Sequence, residues 1–263
     1  MSNNCLHWLD KNEPNSPSVV YDLSIIEKNY SRMQLLFANS EIFYAVKANP
    51  HKKIIRLLNR LGSSFDCASF EEINNCLNIK VPAHRISYGS TLKKETDIKK
   101  AFNLGIKLYA FDSKEELEKL AKNAPGSSVF CRLMVPNGGA EWPLSKKFGC
   151  NYKVAENLIL RAKKIGLNPI GVSFHVGSQQ LSLRTWNKSI VIASKVFKKL
   201  ALKNIMLNFL NLGGGLPVTY TNKLVNKRCY ASNIIKSINQ NFGNYKPSRI
   251  IMEPGRYLVA DAG

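Results

Sequence analysis

The sequence predicts an α/β fold, a closed (β/α)8 barrel of the TIM type, on three observations. Short apolar β-type runs alternate with amphipathic helices, which implies parallel pairing. Eight such runs follow Glu41, each but the last followed by a helix, and eight units close a barrel. The length of 263 residues suits one barrel, since single barrels reach about 250 residues. An open doubly wound sheet is the competing architecture. Against it, no GxGxxG follows the first strand, and polar residues sit at the end of nearly every strand.

The elements follow in order. An extended piece, Ser18-Val19-Val20-Tyr21, leads to Asp22 as N-cap of a helix through about Phe37. The first strand is Ile42–Val46, then a helix around Lys53–Leu61, the run Ser64–Cys67 and a helix near Phe70–Leu77. Next come Arg85–Tyr88, a helix near Lys94–Leu104, Lys107–Phe111 and a helix at about Ser113–Lys122. The fifth strand, Ser128–Val135, runs into an irregular Gly/Pro-containing loop, Pro136–Cys150, before a helix near Val154–Ile165. Pro169–His175, a helix near Leu183–Leu200, Met206–Leu212, a helix near Ala231–Gln240 and Arg249–Met252 complete the series. Seven helices between eight strands leave one gap, which the helix from Asp22 can fill beside the first strand.

Hydrophobic residues make up 44% of the chain, enough for a large core, which excludes disorder and a small disulfide scaffold. No apolar run approaches the roughly 20 residues that span a bilayer. Met1-Ser2-Asn3-Asn4-Cys5 opens without a basic region and apolar stretch, so no secretory signal is visible, and a cytoplasmic protein without a membrane partner is expected. Six cysteines, at 5, 67, 76, 131, 150 and 229, are scattered without CxxC or zinc spacing, and read as reduced thiols with no metal site. The net charge of +20 raises the question of a nucleic-acid partner. However, 28 of the 38 basic residues are lysines spread along the chain. Pairs such as Lys52-Lys53, Lys93-Lys94, Lys99-Lys100 and Lys163-Lys164 fall on helical patterns as outward-facing positions. A solvated lysine surface is the expectation, with no nucleic acid.

A barrel carries its site at the C-terminal ends of its strands. Those positions hold Lys47, Asp66, Tyr88, Asp112, Arg132, His175, Gly213-Gly214-Gly215 and Glu253. Lys47 directly follows the apolar Phe43-Tyr44-Ala45-Val46, a setting expected to desolvate its amine and suit it to Schiff-base chemistry. The alternative is a strand-end lysine reaching solvent. The glycine run lets backbone N–H groups approach an anion, or is only a turn. It lies beside Gly177-Ser178 and Gly255-Arg256, and the loops after strands seven and eight are the usual phosphate site of a barrel. Glu253 is a strand-end carboxylate, or half of an ion pair with Arg256.

Five stretches in this order complete the picture: Tyr-Ala-Val-Lys-Ala-Asn at 44–49, Phe-Asp-Cys-Ala-Ser at 65–69, Gly-Val-Ser-Phe-His-Val-Gly-Ser at 171–178, Leu-Gly-Gly-Gly at 212–215 and Glu-Pro-Gly-Arg-Tyr at 253–257. Together they resemble the fold-type III pyridoxal-phosphate family of ornithine, diaminopimelate and arginine decarboxylases and alanine racemase. Ser87-Tyr88-Gly89 with Lys93-Lys94-Glu95, and the stretch from Trp142 to Gly149, are most similar to its bacterial ornithine or lysine/ornithine decarboxylase branch. The resemblance implies an alanine racemase-like barrel with pyridoxal 5'-phosphate as cofactor. Lys47 would form the Schiff base, and His175 would stack on the cofactor ring. Ser178, Gly213, Gly214, Gly215, Gly255 and Arg256 would surround the phosphate, and Glu253 would face the protonated pyridine nitrogen. Asp66 would sit near Lys47, with Arg132 on the cofactor side; Glu72 is compatible with several roles.

A carboxylate at the nitrogen strengthens the ring as an electron sink, which favours decarboxylation over racemisation. The resemblance further implies a homodimer acting on a small amino acid, most simply ornithine to putrescine. Diaminopimelate, arginine or lysine decarboxylation, and a non-catalytic regulator, are the alternatives. A C-terminal β-domain belongs to the family and is expected to be absent from this sequence. Residues 1–21 would then be a segment that pairs with it, and residues 22–263 the cofactor-binding barrel.

Overall fold

Ten strands and ten α-helices are found among residues 3–142, 147–219 and 226–263, which the computed structural model describes. The strands are β1 (Glu41–Ala45), β2 (Ser64–Cys67), β3 (Ile86–Tyr88), β4 (Leu108–Phe111), β5 (Ser128–Arg132), β6 (Ala140–Trp142), β7 (Asn168–Ser173), β8 (Ser178–Gln180), β9 (Phe209–Asn211) and β10 (Arg249–Met252). Eight of them close into a barrel in the order β1-β10-β9-β7-β5-β4-β3-β2. Every pairing in it is parallel. The predicted (β/α)8 architecture is therefore the observed one.

The helices are α1 (Asn3–Asn12), α2 (Leu23–Leu36), α3 (Lys52–Arg60), α4 (Phe70–Asn78), α5 (Glu95–Asn103), α6 (Lys114–Asn123), α7 (Tyr152–Lys164), α8 (Leu183–Ala201), α9 (Lys227–Phe242) and α10 (Arg256–Val259). Asp22 caps α2 as expected, its carboxylate accepting from the Ser24 N–H at 2.9 Å. That helix packs on both α3 and α9, so it fills the gap left by seven inter-strand helices.

Strand side chains alternate between two cores. Phe43, Leu108, Ala110, Phe130, Phe209 and Ile251 fill the barrel interior, with Phe130 and Phe209 ring centroids 5.1 Å apart. The other parity, including Tyr44, Phe65, Tyr109, Cys131, Val172 and Leu210, packs under the helices. Stepping by two along the inward rows leads from Phe43 to Lys47, from Phe130 to Arg132, from Gly171 to His175, from Phe209 to Asn211 and from Ile251 to Glu253. The barrel's interior packing thus extends directly into its C-terminal mouth.

Several expectations are corrected. The fifth strand ends at Arg132, not Val135, because the Leu133 N–H turns to the Ser173 carbonyl at 2.7 Å and Leu133 bridges to Cys150. The segment 136–150, expected to be irregular, contributes β6, which pairs antiparallel with β8 at the mouth. Of the stretch from Trp142 to Gly149, residues 143–146 lie outside the described residues. Residues 3–12 form α1, and residues 256–259 form α10, neither of which was anticipated. Ser18–Tyr21 belongs to no strand among the described residues. Lys93 is not a surface lysine but is buried. Its Nζ lies 2.7 Å from each of the Ser90 and Ala110 carbonyls and 2.8 Å from Glu116 Oε1, which replace its lost water. None of the six cysteines is in a disulfide among the described residues. No helix among the described residues is long and apolar enough to cross a membrane.

Candidate functional site

The C-terminal mouth gathers Lys47, Asp66, Arg132, His175 and Glu253 close enough to perturb one another electrostatically. Lys47 rides on a single 3-10 turn, Val46–Ala48, directly after β1. Two contacts fix that turn. The Tyr44 hydroxyl donates to the Asn49 carbonyl at 3.0 Å. Gly255 packs so closely that an added Cβ would sit 2.9 Å from Ala48 Cβ and 3.3 Å from Ala45 Cβ. The turn carries Lys47 beyond the apolar row, and its side chain is exposed at the mouth. Its expected desolvation is therefore not what this structure has.

Asp66, on β2, is buried and accepts from the Ser87 hydroxyl at 3.0 Å. Burial pushes its carboxyl above the usual range, against the opposing pull of Lys47, Ser87 and Arg132. Room for it comes from Gly89, where any Cβ would collide with the Asp66 carboxylate. Arg132, at the end of β5, lies with its guanidinium 5.1 Å from the Phe148 ring centroid. Burial pushes it below its ordinary value, while Glu253, Asp66 and Asp112 hold its charge in place. Asp112 itself anchors the far end of the 136–150 loop by accepting from the Gly149 N–H at 2.8 Å.

His175 follows β7 and accepts from the Gly177 N–H through Nδ1 at 3.0 Å. An accepting Nδ1 means a neutral ring with its proton on Nε2. Burial, reinforced by Arg132 and Lys47, pushes the imidazole down to about 3, so neutrality holds across the physiological range. Glu253 shows the opposite displacement. Burial, then repulsion from Asp66, raises it to about 7, against Asn211, Lys47 and Arg132, which lower it. Its Oε1 accepts from Asn211 Nδ2 at 2.5 Å.

The glycine run after β9 packs against both neighbours. Gly213 and Gly215 adopt φ of +67° and +103°, which a side chain would strain. A Cβ on Gly214 would lie 2.7 Å from the Glu253 carbonyl oxygen and 3.2 Å from His175 Nε2. The Gly215 carbonyl accepts from the Gln180 N–H at 2.9 Å, joining the run to β8, which Ser178 opens. Gly255 sits beside the Lys47 turn, and Arg256 is exposed at the start of α10. The structure thus brings Lys47, Asp66, Arg132, His175, Glu253 and Gly213–Gly215 into one mouth, with Ser178 at the start of β8 and Gly255–Arg256 at the start of α10 beside it. The sequence reading missed Asn211, and it took Ser87 only as part of the stretch Ser87-Tyr88-Gly89 without a role at the site. Their signal was present: each is a polar residue inside an otherwise apolar strand, Leu210-Asn211-Leu212 and Ile86-Ser87-Tyr88.

A closed parallel barrel with its titratable groups gathered at the C-terminal mouth has the architecture of the (β/α)8 enzymes. Residues 23–260 match the family described as "Pyridoxal-dependent decarboxylase, pyridoxal binding domain". The chain belongs to that family, and pyridoxal phosphate is the cofactor of this domain. It is 36% identical over 247 residues to ornithine decarboxylase of Mus musculus, covering 92% of this chain and 52% of that protein. To antizyme inhibitor 2 of Xenopus laevis it is 32% identical over 257 residues, covering 98% and 56%. The crystal structure of lysine decarboxylase from Selenomonas ruminantium superposes with a TM-score of 0.91 at 32% identity, covering 100% of this chain and 68% of that one. The chain therefore spans about half the length of these curated relatives.

Proposed function

We propose that the complete protein decarboxylates a basic amino acid with pyridoxal phosphate, specifically L-ornithine to putrescine and carbon dioxide, as a cytoplasmic homodimer. The observation that carries this reading is Glu253, a carboxyl with a proton affinity centred near neutrality, fixed at the mouth that also presents the Lys47 amine. The names of the relatives support a basic substrate.

The donor set fits the cofactor. Lys47 offers a primary amine at an open mouth. Asn211 occupies Oε1 of Glu253, so Oε2 is the oxygen that would accept from a ring N–H and keep that nitrogen protonated. Pyridoxal phosphate supplies an aldehyde for amines and a ring that takes up the electron pair released as CO₂ leaves. The neutral His175 ring offers a flat, uncharged face for stacking. Asp66 and Arg132 would set the field around Lys47. Gly214 and Gly215, lacking Cβ atoms where a cradle needs none, would turn their amides to the phosphate along with Ser178, Gly255 and Arg256. Gly213 would act by conformation, since its N–H is already bonded to Asn211 Oδ1 at 2.8 Å.

The test is borohydride reduction of the purified chain with pyridoxal phosphate, followed by peptide mass mapping. The mass increment is expected on Lys47 and should vanish in Lys47→Ala, with the barrel still folded by circular dichroism. Labelling of another lysine, or equal labelling in the variant, sinks the assignment. The similarity to antizyme inhibitor 2 favours one second reading, a non-catalytic cofactor-binding regulator. Release of CO₂ from carboxyl-labelled ornithine, lysine, arginine or diaminopimelate by the complete protein separates the readings and identifies the substrate.

A further inference from the structure

We propose that Asn211 is a positioning residue that joins the two ends of the site, fixing the carboxylate of Glu253 and, through the same amide, the backbone of Gly213. Three hydrogen bonds form a closed circuit. The Gly213 N–H donates to Asn211 Oδ1 at 2.8 Å, Asn211 Nδ2 donates to Glu253 Oε1 at 2.5 Å, and the Glu253 N–H donates to the Gly213 carbonyl at 2.9 Å. Asn211 is 2% exposed, at the last position of β9 and on the inward row above Phe209.

The amide orientation is dictated by its partners. A backbone N–H can only donate, so Oδ1 must face Gly213, and this leaves Nδ2 for the carboxylate. An aspartate of the same shape could still accept from Gly213, but while ionised it has nothing to donate to Glu253. An apolar side chain could do neither. The identity of this one residue therefore decides whether Glu253 meets a donor or a second negative charge.

The surroundings of Glu253 make that choice consequential. Asp66, on β2, repels its charge, while Lys47 after β1 and Arg132 on β5 favour it. His175, beside Gly214, is held neutral and offers no compensating cation. Asn211 is the only hydrogen-bond donor to the Glu253 carboxylate among the described residues that the structure shows, and it acts to lower the proton affinity that burial raises. The same bond selects Oε1, and so determines which oxygen is presented to the mouth.

This inference rests on the proposed reading only for its consequence in catalysis, because its test needs no turnover. Glutamate carboxyl carbons in the 263-residue chain are labelled with carbon-13 and titrated by NMR, without cofactor and then with pyridoxal phosphate. The Glu253 signal is identified as the one missing from Glu253→Gln. Asn211→Asp is expected to tighten proton binding at Glu253 about tenfold, a rise of about one pH unit, because a like charge replaces a donor. Asn211→Ala, which loses the donor without adding charge, is expected to tighten it several-fold. Circular dichroism reports whether each variant folds. Titration of Glu253 at the same pH in all three proteins overturns the proposal. Loss of folding in both variants overturns it as well, by giving Asn211 a purely structural part. Failure of borohydride labelling at Lys47 is a separate result and leaves this titration readable.

Discussion

Glu253 and His175 are displaced by the same cause, burial, in opposite directions, and the signs give the molecule a definite pH profile. The Glu253 carboxyl binds its proton up to about 7 when folded, whereas an unfolded glutamate releases it near 4.5. Stability is therefore unaffected below the unfolded value, falls as pH rises between about 4.5 and 7, and stays reduced above that. His175, near 3 when folded against 6.5 when unfolded, costs stability as pH falls from 6.5 toward 3 and nothing above 6.5. Glu253→Gln keeps an acceptor for Asn211 Nδ2 and removes the buried charge. It is expected to stabilise the chain at pH 8 by about 1–2 kcal/mol, and by close to nothing at pH 4. Urea unfolding at the two pH values checks this, and a variant less stable than the parent at pH 8 contradicts it. At this scale the strand-end residues with distinctive chemistry were legible: Lys47, His175 and Glu253 stand out because they follow apolar runs. Asn211 and Ser87 carried a weaker signal, a polar residue inside an apolar strand, which alone does not assign a role because an amide or hydroxyl within a short strand has many structural uses. Only their bonds to Glu253 and Asp66 single them out.

Two helices with the same opening pattern show how tertiary structure redirects a local signal. Ser69-Phe70-Glu71-Glu72 starts α4, and Ser113-Lys114-Glu115-Glu116 starts α6. In both, the serine hydroxyl accepts from the glutamate N–H three residues on, at 3.2 Å. Glu72 then folds back to accept from the Ala68 N–H at 2.7 Å. Glu116 instead reaches Lys93 and Lys119, at 2.8 and 2.5 Å, because the loop after β3 delivers a buried ammonium to it. Helix starts and their caps were thus readable from sequence, but the fate of Glu116 and the burial of Lys93 depended on a partner over twenty residues away. Burial pushes the Lys93 amine down to about 8, although Glu116 favours its charge. Lys93→Met is expected to cost about 3–5 kcal/mol, because it leaves Glu116 with a buried carboxylate and only the Lys119 pair. The double variant Lys93→Met/Glu116→Met should cost clearly less than the sum of the two single changes. Additive single and double effects in urea unfolding would mean that the pair is not energetically coupled.

The barrel as a whole was legible because eight short apolar runs alternate with seven helical ones, and because α2 fills the remaining gap in the helical ring. Its ends were less so. Asn3–Asn12 holds only four apolar residues, Cys5, Leu6, Trp8 and Leu9, and in α1 Cys5 is the one buried residue. The short β6–β8 pair involves only three residues a side, a length at which loop and strand look alike. The charge of the molecule was read correctly in kind. Seven of the eight lysines in the pairs named above are exposed, with Lys93 the exception. Among the described residues, exposed ion pairs such as Arg161 with Glu118 and Arg249 with Glu41 are shown. Each is worth little in water. With 20 positive charges in excess, long-range repulsion acts against the folded state and is screened by salt over a Debye length that shrinks to about 10 Å at 0.1 M. Raising sodium chloride from about 20 to about 200 mM should therefore raise the melting temperature by a few degrees, as a gain of about 1 kcal/mol does in a domain of this size. The direction is the informative part. A net of attractive surface pairs would instead weaken with salt, so a falling melting temperature would show that the lysines are engaged in favourable pairs and are not a self-repelling solvated surface.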